Sequence, residues 1–164
     1  MTDAFQVRSA RASDVPGIAS LVNGYAAQAV MLPRSVESIV LALDDFVVAV
    51  DARGRVAACG ALRLYSPSLG EVASVAVSRE AHGHGVGRAI VAAVERLALG
   101  RGVDEVFALT LTPAFFEAVG YGVDDRARYP EKLRHDCAAC ARRARCAEVC
   151  VSRRLVGENV EAAA

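Results

Sequence analysis

The stretch LGEVASVAVSREAHGHGVGRAIVAAVERLALGR, from Leu69 to Arg101, constrains the fold more than any other part of the chain. Gly70 to Val77 is small and β-branched, the character of an interior strand. His82 to Gly87, HGHGVG, then places three glycines in six residues where a helix should begin. From Gly85 to Leu99 the apolar residues Val86, Ile90, Val91, Val94, Leu97 and Ala98 recur at helical spacing. A strand that runs through a glycine-rich turn into a helix N-terminus is a place to hold a phosphate, because unpaired N–H groups and the helix dipole point the same way. Whatever else the chain does, a layered α/β fold must be built around this unit.

The remaining 131 residues supply enough apolar material for that. At 164 residues and 54% hydrophobic, the chain suits one domain with a core of ordinary size. Nineteen basic and nineteen acidic side chains cancel, so no general attraction to nucleic acid or acidic membrane is expected. No apolar run approaches the roughly 20 residues of a membrane helix. The start, MTDAFQVRSARASD, has early charges and no apolar core, unlike a secretory signal. A cytoplasmic protein is expected.

Taken in order, Phe5 to Ser9 reads as a first strand. Ser13 and Asp14 offer an N-cap and Pro16 fits a first turn, so a helix should follow with Val15, Ile18, Val22, Tyr25, Ala26 and Ala29 on its apolar face. Ser35 caps a second helix carrying Val36, Ile39, Val40 and Leu43. Phe46 to Val50 and Arg55 to Tyr65 form a hairpin about Asp51-Ala52-Arg53-Gly54. After the opening unit come a strand from Asp104 to Leu111, a short helix from Pro113 closed by Gly120, and an extended segment from Tyr121. Residues 126–145 read as loop with partial helix, Val149 to Leu155 as a last strand, and 157–164 as a frayed tail. The expected order is β-α-α-β-β-β-α-β-α-β-β, one domain over 1–164 with a cysteine-rich segment at 130–150.

With the elements placed, the chain resembles the GNAT family of N-acetyltransferases. That family's acyl-CoA motif is Gln or Arg, two residues, Gly, one residue, Gly or Ala; here it reads His82, Gly83-His84, Gly85, Val86, Gly87, with His82 departing from the pattern. A second likeness is the aromatic helix Phe115-Phe116-Glu117-Ala118-Val119-Gly120-Tyr121. The resemblance implies a mixed, mostly antiparallel sheet flanked by helices and splayed at an acyl-CoA cleft. It implies acetyl-CoA as co-substrate, held by His82, Gly83, His84, Gly85, Val86, Gly87 and Arg88, with Phe115 nearby. A bulge in the strand before the loop would set the Val75 and Val77 backbone groups along the pantetheine arm. Pyrophosphate needs converging N–H donors free of obstructing Cβ atoms, which is a reason for Gly83, Gly85 and Gly87 together.

Within the family, LPRS at 32–35, FVVAVDARGRVAACGAL at 46–62, GEVASVAV at 70–77 and VFALTLTPAFFEAVGY at 106–121 resemble the acetyltransferase domain of the N-acetylglutamate synthases. Some of those carry an amino-acid-kinase domain in front; this chain, with no room for one, would be a stand-alone short form. The resemblance implies an amino-acid acceptor, L-glutamate first, with glutamine, a polyamine or a protein N-terminus as alternatives. Acetyl transfer to an amine needs a base, a donor to the thioester oxygen and a proton for the leaving thiolate. Glu71 is the candidate base, and a backbone N–H near Ser74 or Val75 the candidate donor. The family's usual acid is a tyrosine at the position of Phe116, which has no proton to give, so Thr110 takes that role by resemblance, with Tyr121 and Tyr129 behind it.

An acceptor with carboxylates calls for arginine. Leu32 and Arg34 of LPRS, with Ser74, complete the acceptor set by resemblance, and a second cation is expected from Lys132, Arg142, Arg143 or Arg145, with Arg142 chosen. A non-catalytic acyl-CoA-binding module is the rival from another class, and a homodimer is left open. Of the five cysteines, Cys59 reads as a small core residue. Cys137, Cys140, Cys146 and Cys150, spaced C-x2-C-x5-C-x3-C, are candidate ligands of a structural zinc, with His135 as a substitute ligand and free or redox-paired thiols as the alternative.

Overall fold

A computed structural model describes residues 4–155, so the expectation for the tail at 157–164 lies outside the described residues. Seven strands form one sheet: β1 (Phe5–Ser9), β2 (Phe46–Asp51), β3 (Val56–Leu64), β4 (Leu69–Val77), β5 (Glu105–Thr110), β6 (Gly122–Val123) and β7 (Val149–Arg154). Their order across the sheet is β1-β2-β3-β4-β5-β7-β6. Every pairing is antiparallel except β4 with β5. The helices are α1 (Val15–Ala27), α2 (Val36–Leu41), α3 (Val86–Gly100), α4 (Pro113–Ala118) and the short α5 (Pro130–Lys132), which widens into one π turn over Leu133–Cys137. The element order matches the sequence reading, with α5 filling part of the segment read as loop.

The sheet is covered on both faces, which explains why β2 is an unbroken apolar run rather than an alternating one. Val47 and Ala49 face α3, packing with Ile90, Val91, Val94 and Ala98. Phe46, Val48 and Val50 face the other way, onto Ile18 and Val22 of α1 and Ile39 of α2. Cys59 is fully buried in this second layer, as its setting in the sequence implied.

Local chemistry sets the element ends. Asp14 starts α1, but its side chain turns back to accept two bonds from Arg8 and one from the Arg11 N–H at 2.8 Å, and the expected cap by Ser13 is absent. The helix stops at Ala27, short of the Ala29 expected on its face; Ala29 is left-handed, with φ of 60°. Ser35 caps α2 as expected, its side chain accepting from the Ser38 N–H at 3.1 Å. Leu43 falls beyond the helix, in a 3-10 turn. Asp51 closes the β2–β3 hairpin by accepting from the Arg53 and Arg55 N–H groups, both at 2.9 Å.

Candidate active site

β4 and β5 pair only at Leu69–Glu105, Gly70–Val106 and Glu71–Phe107. Beyond Glu71 the two strands part. β4 also disengages partly from β3: Ala73 faces Ala61 and Ala76 faces Cys59, so Ser74 and Val75 share the place opposite Gly60. This is a β-bulge, and Ser74 takes the left-handed conformation in it, with φ of 52°. Gly60 opposite is required by packing, because a Cβ there would lie 2.6 Å from Ile90 Cγ2. The expected splay and the expected bulge are both present.

Within the protein the three glycines of the loop meet different local requirements. Gly83 and Gly85 sit at φ of 78° and 73° with open space around a Cβ, so conformation demands them. Gly87 makes room for its protein neighbours: a Cβ there would meet Phe115 Cε2 at 3.3 Å and Val77 Cγ2 at 3.4 Å. The first turn of α3 then presents the N–H groups of Val86, Gly87 and Arg88, which a helix leaves without internal acceptors. His82 and His84 are exposed. His82 Nε2 lies 3.0 Å from the Val77 carbonyl oxygen and His84 Nδ1 lies 2.9 Å from that of His82, so both brace the loop. The Tyr25 hydroxyl donates to the same Val77 oxygen and ties α1 to the loop. A pyrophosphate fits this end, and the gap between β4 and β5 fits an extended arm.

A cavity of about 370 Å³ opens at that gap. Of the sequence candidates, Glu71, Ser74, Val75, Thr110, Phe115, Leu32, Arg34 and Lys132 all line it. Glu71 is buried, at 5% exposure, and its Oε2 accepts from the Tyr65 hydroxyl at 2.9 Å and from Lys132 Nζ at 3.0 Å. Lys132 also donates to Asp136 at 3.0 Å, and Arg63 pairs with Asp136 at 2.6 Å. Burial acts to lower the Lys132 ammonium's pKa, but the Glu71 charge and the bonds to Glu71 and Asp136 outweigh it and hold it above the ordinary lysine range. Thr110 is buried, with Oγ1 accepting from the Thr112 N–H at 2.9 Å and lying 3.1 Å from the Thr112 hydroxyl.

Arg34 is placed by a reciprocal clamp. Its N–H donates to Asn23 Oδ1 at 2.9 Å while its carbonyl accepts from Asn23 Nδ2 at 2.8 Å. Its guanidinium lies 5.1 Å over the Phe46 ring and reaches the Ser38 carbonyl at 3.3 Å, forming no ion pair among the described residues. Burial and the neighbouring Arg63 charge lower its pKa from the usual guanidinium value.

Several expectations are corrected. Arg142 does not line the cavity; it donates to the carbonyls of Ala29 at 3.0 Å and Met31 at 3.3 Å, beneath the loop that carries Leu32. Lys132 is the cavity's cation from that part of the chain. Tyr121 is buried behind α4, bonded to Glu95 at 2.8 Å, and Tyr129 stacks on Phe107 at 4.1 Å with its hydroxyl on Glu105 and Asp124, so neither reaches the cavity. The zinc expectation also finds no support: among the described residues no three His, Cys, Asp or Glu side chains converge as a metal site. Cys150 is buried on β7, where burial pushes its thiol up to about 11, while Cys146 is exposed. Arg63 and Glu148 line the cavity without having been singled out. Arg63 had a detectable signal, since it stands opposite Glu71 in the β3–β4 register.

A parallel strand pair that parts beyond Glu71, a bulge on one of its strands, a glycine-led helix N-terminus beside it and a buried carboxylate at the gap define an acyl-CoA-dependent transferase. The chain belongs to the acetyltransferase (GNAT) family, whose model matches residues 25–121, and is an N-acetyltransferase. It is 39% identical over 149 residues to an uncharacterized N-acetyltransferase of Chlorobaculum tepidum, covering 91% of this chain and 96% of that one. It is also 39% identical over 117 residues to the amino-acid acetyltransferase of Mycobacterium tuberculosis, covering 70% and 67%. Among solved structures, the N-acetylglutamate synthase of Neisseria gonorrhoeae, complexed with coenzyme A and N-acetyl-glutamate, superimposes with a TM-score of 0.82 at 29% identity. The match covers 92% of this chain and 35% of that protein. No helix among the described residues is long and apolar enough to cross a membrane.

Proposed function

We propose that the protein transfers the acetyl group of acetyl-CoA to the amino group of an amino acid, L-glutamate first among them. The observation that carries this is the placing of Arg34, a guanidinium with no carboxylate partner among the described residues, in the same cavity as the buried Glu71. The names of the relatives, amino-acid acetyltransferase and N-acetylglutamate synthase, support the same reading. If glutamate is the acceptor, the reaction is the first step of arginine synthesis, and we place it in the cytoplasm.

Acetyl-CoA supplies an activated acyl carbon. The chain's residues do the rest. The α3 N-terminus and its glycine loop bind the pyrophosphate, the helix end contributing about 0.3–1 kcal/mol of favourable interaction. The gap beyond Glu71 aligns the arm, and the backbone freed by the Ser74 bulge donates to the thioester oxygen. Arg34 holds an acceptor carboxylate in a fork. Glu71 draws one proton from the acceptor ammonium, directly or through a water, and passes it to solvent. The neutral amine attacks the thioester carbon, and the second proton it then sheds reaches the leaving sulfur by way of the Thr110 hydroxyl, which gives one proton and takes up another.

One observation favours a second acceptor. Lys132 and Arg63 are already engaged by Glu71 and Asp136, which suits a neutral side chain such as that of glutamine. The deciding experiment measures acetyl-CoA consumption with each amino acid and with simple primary amines. Turnover of glutamate or glutamine is expected. Strong turnover of an amine that lacks an α-carboxylate, with none of either amino acid, ends the reading.

A further inference from the structure

The charges that line the cavity do not balance in pairs. Arg63 is joined to Asp136, and Lys132 to Glu71 and Asp136. Among the described residues this leaves two lining side chains without an ion pair, the cation Arg34 and the carboxylate Glu148. Glu148 sits immediately before β7, whose Val149 stands opposite Thr110, so its place is fixed at the β5 side of the gap. Arg34 comes from the other side, on the loop between α1 and α2. The polar contact of the Glu148 carboxylate is the Cys146 thiol at 3.9 Å, and its main-chain carbonyl is held by Arg126.

We propose that Glu148 receives the ammonium group of the acceptor while Arg34 holds its carboxylate, so that the cavity reads the zwitterion of an α-amino acid by its two poles. The inference rests on the amino-acid reading above and names the recognition of that class.

The physical case is one of complementarity. A half-buried carboxylate without an ion pair is unfavourable, and so is an arginine in the same state. Burial pushes the Glu148 carboxyl up from the ordinary range, helped by the Glu71 charge and opposed by Lys132, Arg126 and Arg142. A ligand with one positive and one negative end relieves both groups at once, whereas a simple amine satisfies only Glu148 and a simple acid only Arg34. The arrangement also distinguishes substrate from product. Acetylation turns the ammonium into a neutral amide, so the product keeps its partner at Arg34 and loses the one at Glu148. Glu148 thereby favours acceptor over product in the same cavity.

The test compares the full chain with Glu148→Gln and Arg34→Met, using the best acceptor of the amine and amino-acid panel and its N-acetyl product. Coenzyme A affinity by calorimetry, within about twofold of the parent, checks that each variant is folded. Glu148→Gln is expected to raise KM for the acceptor about tenfold or more, the scale of a charge-assisted bond, and to leave product affinity unchanged. Arg34→Met should weaken acceptor and product alike. An unchanged acceptor KM in Glu148→Gln, or equal weakening of acceptor and product, overturns the role of Glu148. If the best acceptor is an amine without a carboxylate, the amino-acid reading and the role of Arg34 fall, while the Glu148 measurement still decides its own part. No turnover with any amine overturns both.

Discussion

The Lys132 ammonium lies 3.0 Å from Glu71 Oε2 and 3.0 Å from Asp136 Oδ2, bridging a strand of the central sheet to the turn that follows α5. All three side chains are at most 18% exposed, so water screens the bridge weakly. Lys132→Met leaves two carboxylates facing each other without their common cation. Glu71 keeps the Tyr65 hydroxyl and Asp136 keeps Arg63, so the variant is expected to lose roughly 1–3 kcal/mol of stability, the scale of the lost charge-assisted bonds, as read by urea denaturation. An unfolding midpoint equal to the parent's would show that the bridge carries no net stabilisation.

Glu71→Gln keeps the shape of the side chain and removes its capacity to accept a proton. Turnover should fall roughly 10²–10⁴-fold, the scale of general acid–base catalysis. Coenzyme A affinity should hold, because the phosphate loop lies at the other end of β4. A variant as fast as the parent removes Glu71 from the role of base.

Gly85→Ala puts a Cβ into open space at φ of 73°, so only the backbone is disturbed. The left-handed conformation costs a non-glycine residue about 1–2 kcal/mol. The loop is expected to relax away from the N-terminus of α3, raising KM for acetyl-CoA several-fold and leaving that for the acceptor in place. Steady-state kinetics with each substrate varied in turn checks the split.

Asp14 gives the stability a dependence on acid. The bonds from Arg8 lower its pKa below the ordinary carboxylate value against the opposing effect of burial, and the Arg11 N–H adds to the lowering. A folded-state pKa below the unfolded one means that the stabilisation is full above the unfolded value of about 3.9 and is lost as pH falls through the folded one. Asp14→Asn should therefore be less stable at neutral pH by roughly 1–3 kcal/mol. It should also lose less than the parent on acidification below about pH 4, as measured by thermal unfolding across the acid range.

The parts of the site readable from sequence are those built from neighbours in the chain. The strand, the glycine turn and α3 announce themselves because period and punctuation are local, and β2 through β4 follow from apolar runs broken by Asp51–Gly54 and Ser66–Ser68. The bulge at Ser74 has no such sign: a serine at φ of 52° is set by the misfit between β3 and β4, with Gly60 as its distant counterpart. Lys132 and Arg142 were both candidates, and only the fold shows that one enters the cavity while the other supports the loop beneath it. Glu148 stands in sequence among cysteines and arginines, a crowding that suggests metal chemistry before a lone carboxylate.

The two halves of the cleft therefore have different ancestries along the chain. The coenzyme end is written in one continuous passage, from β4 to α4. The cavity wall assigned by our proposal to the acceptor is assembled from scattered contributions: the 30–34 loop, Arg63, Lys132 and Glu148, with Arg142 pinning the carbonyls of Ala29 and Met31 from more than a hundred residues away. On the proposed reading, exchanges in the segment between α5 and β7 retune which amine is admitted without disturbing how the acyl donor is gripped. In a protein built this way, taste in acceptors is free to drift while the donor stays constant.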